Sequence, residues 1–194
     1  KVSIAVPCRN EEKYILNFLN GIKSQSYPME ALEIVIADGE SEDNTRQIIR
    51  DFINKNPNLK IRVVTNKKRV TPAAYNVAVK NSTGEYIMTS GAHSQISPNY
   101  VSGCVNVLES DSAVDCVGGA VETLPSADTT VARAIALSLS HPFGTGNAKF
   151  RNKLGNKVLV DTVYHGCYRR DVFNRVGYYN EKLLRSQDLD LNLR

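Results

Sequence analysis

Between Val2 and Glu122 the chain alternates short, continuously apolar runs with amphipathic ones, and this alternation restricts its fold more than any other feature. "VSIAVP", from Val2, reads as a buried strand ended by Pro7. "NEEKYILNFLNGIKSQ" follows, with Tyr14, Ile15, Phe18, Leu19 and Ile22 at helical spacing. Asn10 is its expected N-cap, with Glu11 and Glu12 in the positive first turn. "LEIVIAD", from Leu32, is a second strand, and "SEDNTRQIIRDFINKN" a second helix capped by Ser41 or Asp43. "KIRVVTN", "VTPAAYNVAVKNS", "GEYIMTS", "SPNYVSGCVNVLES" and "AVDCVGGAVET" continue the pattern, with Thr71 capping and Pro72 opening the third helix. Five such alternations predict an α/β fold, a mainly parallel sheet with helices on both faces. At 194 residues the chain suffices for one domain. The pattern changes after Glu122: "TTVARAIALSLS" is helical, "HPFGTGNAKFRNKLGN" is a loop, and "VLVDTVYHGCYRRDVFNRVG" and "SQDLDLNLR" complete the chain. A first half of residues 1–122 and a second of 123–194 are therefore expected within that domain.

Ligands of such sheets bind beyond the carboxyl ends of the strands. The segments to inspect are Pro7-Cys8-Arg9-Asn10-Glu11, Asp38-Gly39-Glu40-Ser41, Asn66-Lys67-Lys68-Arg69 and Ser90-Gly91-Ala92-His93. No G-x-G-x-x-G follows the first strand and no G-x-x-x-x-G-K-[ST] occurs, which disfavours a dinucleotide fingerprint and a P-loop. Asp38 has two readings, a hydrogen-bond acceptor for a base or ribose and a turn former. The formal net charge of +4 is too mild to imply nucleic acid but suits an anionic small ligand. Cys8, Cys104, Cys116 and Cys167 form no C-x-x-C pair and sit in apolar runs, so reduced thiols in a cytoplasmic protein are expected, not a zinc site. No run approaches the roughly 20 apolar residues of a membrane span. Strand-like sequence at Val2 argues against a signal peptide. The missing initiator Met, and a last helix that stops at Arg194, lead us to expect a fragment truncated at its C-terminus.

Four segments in order, "VPCRNEE", "IVIADGESEDNT", "NVAVKNSTGEYIMTS" and "VGYYNEKLLRSQDLDLNLR", resemble the family 2 glycosyltransferases of GT-A fold. "VDTVYHGCYRRDVFNRVG" and "RSQDLDLN" resemble most the branch with succinoglycan-type glucosyltransferases. The resemblance implies a Rossmann-like sheet and transfer of a hexose from a UDP-sugar, with inversion, to a glycan or lipid-linked acceptor in polysaccharide biosynthesis. It implies that Pro7, Glu11 and Asp38 line the base and ribose, that Lys67, Arg69 and Asn76 hold the nucleotide end of the donor, and that Asp188 is the catalytic base. It makes residues 1–122 the nucleotide-binding half and 123–194 the acceptor half, where Lys149 and Arg151 are candidates for a diphosphate. His93 stands where the family's D-x-D closes and would touch a divalent cation, Mn²⁺ or Mg²⁺, while Gly91 stands at the first acid. That departure motivates an alternative, a nucleotide-sugar-binding pseudoenzyme. A nucleotidyltransferase is disfavoured, because "PCRNEEKY" lacks a glycine-rich basic loop. No nucleic-acid partner is expected. The expected location is cytoplasmic, with peripheral association at the membrane's cytoplasmic face and the oligomeric state left open.

Overall fold

In a computed structural model of the chain, residues 1–145 and 158–194 are described. Six strands form one sheet: β1 (Val2–Cys8), β2 (Leu32–Asp38), β3 (Lys60–Thr65), β4 (Tyr86–Thr89), β5 (Cys116–Val117) and β6 (Cys167–Arg169). Their order is β3-β2-β1-β4-β6-β5. β1 runs parallel to β2, with Val2 opposite Leu32 and Cys8 opposite Asp38, and parallel to β4 on its other side. β6 is antiparallel to both β4 and β5.

The continuous apolar runs are explained by cover on both faces of the sheet. Ile4, Val6, Ile34, Ile36 and Met88 belong to one core, with α1 (Ile15–Lys23), α2 (Thr45–Lys55) and α4 (Tyr100–Ser110). The alternate residues Ala5, Val35, Ala37 and Ile87 belong to the other, with α3 (Thr71–Lys80). Under α3 the strands present the small Ala5 and Ala37, in one cluster with Ala74 and Ala78, and α3 packs on β1 and β2. On α1, Ile15, Phe18, Leu19 and Ile22 are buried. At roughly 1.5–3 kcal/mol per large apolar side chain, that stripe contributes on the order of 6–12 kcal/mol before entropy is charged. Gly84 is fixed by close approach: a Cβ there would lie 2.6 Å from the backbone nitrogen of Ser3.

The second half supplies α5 (Thr130–Ser138), α6 (Pro142–Thr145), α7 (Asp171–Arg175) and α8 (Gln187–Leu193). Thr129 caps α5 by accepting from the Ala132 N–H, whereas the caps expected for α1 and α3 differ. α1 begins at Ile15 with no side-chain cap, Asn10 having turned into a left-handed conformation (φ 55°). α3 is preceded by Val70, with Thr71 already helical. The expected fifth strand shrinks to Cys116–Val117 and is antiparallel. It ends because Gly118 and Gly119 press against Val163 and Tyr100, and the Gly119 N–H donates to the Tyr100 hydroxyl instead of to a ladder (2.9 Å). Among the described residues no helix is long and apolar enough to cross a membrane.

β1, β2 and β3 step outward in one direction, and the chain then returns to place β4 on the other side of β1. A crevice opens beyond the carboxyl ends of the strands where the order reverses.

Candidate active site

A cleft of about 320 Å³ occupies that crevice. Its walls come from the exits of β1 (Pro7, Cys8, Arg9, Glu11), β2 (Gly39), β3 (Asn66, Arg69, Val70) and β4 (Thr89, Gly91, His93). Thr71, Ala74 and Tyr75 of α3 add one side, and Val163, Tyr164, His165, Tyr179, Gln187 and Asp188 of the second half close the other.

The exit loops are bent sharply. Among the described residues five non-glycine residues have positive φ, Asn10, Glu40, Arg69, His165 and Ser186, and each lies in or beside the cleft wall. Such conformations are uncommon and cost on the order of 1–3 kcal/mol, so they persist where surrounding bonds hold them. The bonds are visible here. Ser41 Oγ accepts from the Asn10 N–H (3.0 Å), Thr45 Oγ1 from Glu11 N–H (2.7 Å), and Asp43 Oδ2 from Glu12 N–H (3.1 Å). In return Asn10 Oδ1 accepts from Glu42 N–H (2.9 Å) and Glu12 Oε2 from Asn44 N–H (3.0 Å). "PCRNEE" and "DGESEDNT" are thus two halves of one clamp. The residues that sequence logic assigned to capping mainly satisfy the neighbouring loop, though Asp43 Oδ1 also takes the Thr45 N–H at the start of α2 (3.0 Å).

Pro7, Glu11, Arg69, Gly91, His93 and Asp188 meet in the cleft wall; Asp38, Lys67 and Asn76 are not part of it. Asp38 is 1% exposed and is held by an ion pair with Arg46 and by Ser41 Oγ (2.5 Å), so its carboxylate stands behind the wall. Lys67 is exposed beyond it. Asn76 is buried and faces the second half: its Nδ2 donates to Tyr179 O (2.9 Å) and Glu181 Oε1 (3.0 Å), and its Oδ1 accepts from Tyr179 N–H (2.9 Å). Lys68 also bonds Glu181, and these two bonds, Lys68 first, lower the Glu181 carboxyl. Arg69 Nε donates to Glu40 Oε2 (2.7 Å). Arg194 donates to Tyr178 O (2.9 Å) and Asp190 Oδ2 (3.0 Å), tying the end of α8 to the preceding loop. Lys149 and Arg151 lie outside the described residues.

His93 Nδ1 lies 3.2 Å from Glu11 Oε1, so one imidazole and one carboxylate converge at the mouth. Among the described residues no three His, Cys, Asp or Glu side chains gather into a metal cluster. The four cysteines are free, and burial pushes the Cys8 thiol up to about 12, which leaves it protonated beside the cleft. Tyr75 and Tyr179 stack at 5.0 Å and are kept neutral, chiefly by burial.

The sequence reading gave no site role to Tyr75 or Gln187, held Arg9 only within a strand-exit segment and His165 only on the acceptor side. Gln187 could have been found from its place beside Asp188. His165 was visible only as a His-Gly pair, and Tyr75 only as a helical aromatic, which is ordinarily core.

The model of the family described as "Glycosyl transferase family 2" matches residues 3–177. The chain is 27% identical over 197 residues to a dolichyl N-acetyl-alpha-D-glucosaminyl phosphate 3-beta-D-2,3-diacetamido-2,3-dideoxy-beta-D-glucuronosyltransferase of Methanococcus voltae, covering 99% of this chain and 60% of that protein. It is 29% identical over 196 residues to the succinoglycan biosynthesis protein ExoA of Rhizobium meliloti, covering 98% and 56%. The chain thus spans under two thirds of the length of these relatives. In fold it is similar to TarS of Staphylococcus aureus, solved in complex with UDP (TM-score 0.74, 20% identity, 100% of this chain and 54% of that one). It is similar also to the mannosyltransferase PcManGT of Pyrobaculum calidifontis, solved with GDP-Man and Mn²⁺ (TM-score 0.73, 22% identity, 98% and 50%).

Proposed function

Because the chain belongs to glycosyl transferase family 2, we propose that it moves a hexosyl group from a UDP-sugar to a hydroxyl of a glycan or lipid-linked acceptor, with inversion, in polysaccharide assembly. The observation that carries this reading is the cleft itself, which brings Asp188 of α8 to the same hollow as Glu11, Gly91 and His93 from the sheet edge. The relative in succinoglycan synthesis and the fold neighbour with bound UDP support the donor class and the pathway type.

Transfer by one displacement needs a base for the acceptor proton and stabilisation of the departing diphosphate. Asp188 takes the proton of the acceptor hydroxyl. The hydroxyl oxygen bonds to the anomeric carbon, the bond from that carbon to the diphosphate breaks, and its electron pair leaves with UDP. One displacement inverts the anomeric centre. Pro7, Glu11, Gly39 and Arg69 receive the nucleotide, while Asp38 and Asn76 hold the loops that carry them. Lys67 lies outside the wall, where its charge attracts an anionic donor.

A divalent cation fits the residues in a limited way. The His93 imidazole and the Glu11 carboxylate are suitable ligands for Mn²⁺, and a cation held by few protein groups takes its remaining ligands from the donor's phosphates. When bound, it would neutralise charge on the diphosphate. Gly91 is not required by its backbone: a Cβ there meets nothing closer than the His93 ring at 3.4 Å, and its φ is not left-handed.

The test is Asp188→Asn. Transfer should fall by about 10²–10⁴-fold while UDP affinity stays within about twofold. Normal turnover in that variant would remove Asp188 as the base. A second reading rests on Gly91: a pseudoenzyme that binds a nucleotide-sugar without transferring it. Tight UDP binding, with neither transfer nor hydrolysis for any UDP-sugar with or without Mn²⁺, would favour it.

A further inference from the structure

We propose that His165 is a donor-sugar specificity contact, whose Nε2 accepts a hydrogen bond from a hydroxyl of the transferred hexose. This rests on the transfer reading above and names a residue that reading does not use.

His165 is held in place more firmly than a surface loop residue would need to be. Its backbone is left-handed (φ 51°), a conformation few non-glycine residues adopt. Hydrogen bonds on both sides fix it there. Thr89 at the end of β4 donates its N–H to Gly166 O (2.9 Å). The Tyr100 hydroxyl reaches His165 O (3.0 Å) and Tyr164 O (3.3 Å). Gly166 packs so tightly that a Cβ would fall 2.7 Å from the buried Tyr168 ring. The ring itself lies edge-on to Tyr164 at 4.1 Å.

The tautomer follows from the bonds. Nδ1 sits 3.3 Å from Thr89 O, and a carbonyl only accepts, so Nδ1 carries the proton. Burial is the main cause that lowers this imidazole to about 4, so near neutrality Nε2 bears a lone pair and no proton. Nε2 lies on the opposite edge of a ring that lines the cleft, and it has no hydrogen-bond partner among the described residues. The turn shares the cleft wall with both ends of the reaction, His93 at the sheet edge and Asp188 on α8. The group moving between a diphosphate near His93 and a base at Asp188 is the hexose. A fixed neutral acceptor facing it selects a hydroxyl and adds no positive charge beside a carbon that becomes electron-poor in the transition state.

The experiment compares wild type with His165→Asn, which tolerates the left-handed backbone, and His165→Gly, which relieves it. Calorimetric binding of UDP, of UDP-glucose and of its monodeoxy analogues is measured with Mn²⁺ present, using a non-hydrolysable C-glycosidic donor where turnover interferes. Both variants should bind UDP within about twofold of wild type and lose about five- to tenfold for the intact donor. One deoxy position should weaken binding to wild type yet leave the variants unaffected. Equal loss for UDP and for UDP-glucose, or weakened Mn²⁺ binding with UDP alone, would make His165 a structural or metal-side group and overturn the proposal. So would a deoxy series that ranks identically in wild type and variants. Failure of wild type to bind UDP at all would defeat the transfer reading first, and this inference with it.

Discussion

Asn76 gives the most direct test of how this cleft is built. The resemblance suggested a donor contact, whereas in the structure all its hydrogen-bonding capacity but one acceptor site is turned to the Tyr179–Glu181 loop. That loop precedes α8 and Asp188 by a few residues, so Asn76 acts as a strut between the two halves. Asn76→Leu keeps approximate volume and removes three hydrogen bonds. It leaves the N–H and C=O of Tyr179, a residue 3% exposed, without those partners. Each buried unsatisfied group costs about 1–3 kcal/mol and the bond to a carboxylate about 1.5–3, so a loss of roughly 3–6 kcal/mol is expected after partial relaxation. Against a total stability on the order of 5–15 kcal/mol, that is a severe change. Asn76→Asp is a sharper probe. It retains the acceptor for the Tyr179 N–H but sets a carboxylate against Tyr179 O and Glu181 Oε1. The introduced carboxyl has its pKa raised in the folded state above the unfolded value, so its protonated form favours folding. The stability of that variant relative to wild type should therefore fall as pH rises through the raised value. Urea unfolding at pH 5 and pH 8, with UDP titrations on the folded protein, measures both. If Asn76→Asp unfolds like wild type at pH 8 but loses UDP affinity more than tenfold, the strut argument is wrong and Asn76 is a donor contact.

Two further outcomes follow from the same geometry. Glu33 is buried in a cradle of Ser3, Thr83 and Lys1; burial by itself would raise its carboxyl, but the hydrogen bonds, Thr83 first, outweigh that and lower it from 4.5 to about 2. Because the folded value is depressed, its stabilisation is present above pH 4.5 and is lost as pH falls toward 2. Glu33→Gln should flatten this part of the acid-unfolding curve and cost about 2 kcal/mol at pH 7, discounted for the half-exposed Lys1 partner, with an unchanged acid limb counting against the cradle. Gly91→Asp should fold normally, since the nearest atoms to a Cβ are the His93 ring and Ser94 Oγ at 3.4–3.6 Å. It should tighten Mn²⁺ binding in the presence of UDP by about tenfold, as an added anionic ligand does. No gain in Mn²⁺ affinity by calorimetry would place the cation away from Gly91.

The strand and helix alternation of the first 110 residues was legible because, apart from the edge strand β3, its strands are buried as continuous apolar runs and its helices bury one stripe. The strand exits followed, since parallel sheets with a reversal in strand order have one rim at which ligands bind. Resemblance then located Asp188 and the Gly91–His93 departure. Capping was misread where it depended on neighbours. Ser41, Asp43 and Thr45 are sound cap residues by type, yet the nearest unsatisfied N–H groups belong mainly to another loop 31 to 34 positions away. The fifth strand is shorter than its apolar run for a similar reason, because the packing of Gly118 and Gly119 against Val163 and Tyr100 ends it.

Local order in this chain, the apolar runs, helical stripes and turn residues, is a property of residues near one another in sequence, and it was enough to determine the class of fold and the rim where the site lies. Which side chains face that rim is decided at separations such as Asn76 to Tyr179, Thr89 to His165 and Glu11 to His93. Asp38 and Asn76 were withdrawn from the wall because buried polar groups must be bonded, and their partners Arg46, Tyr179 and Glu181 come into reach only on folding. His165 entered the wall for the complementary reason: tertiary contacts to Thr89 and Tyr100 hold its ring and backbone at the cleft.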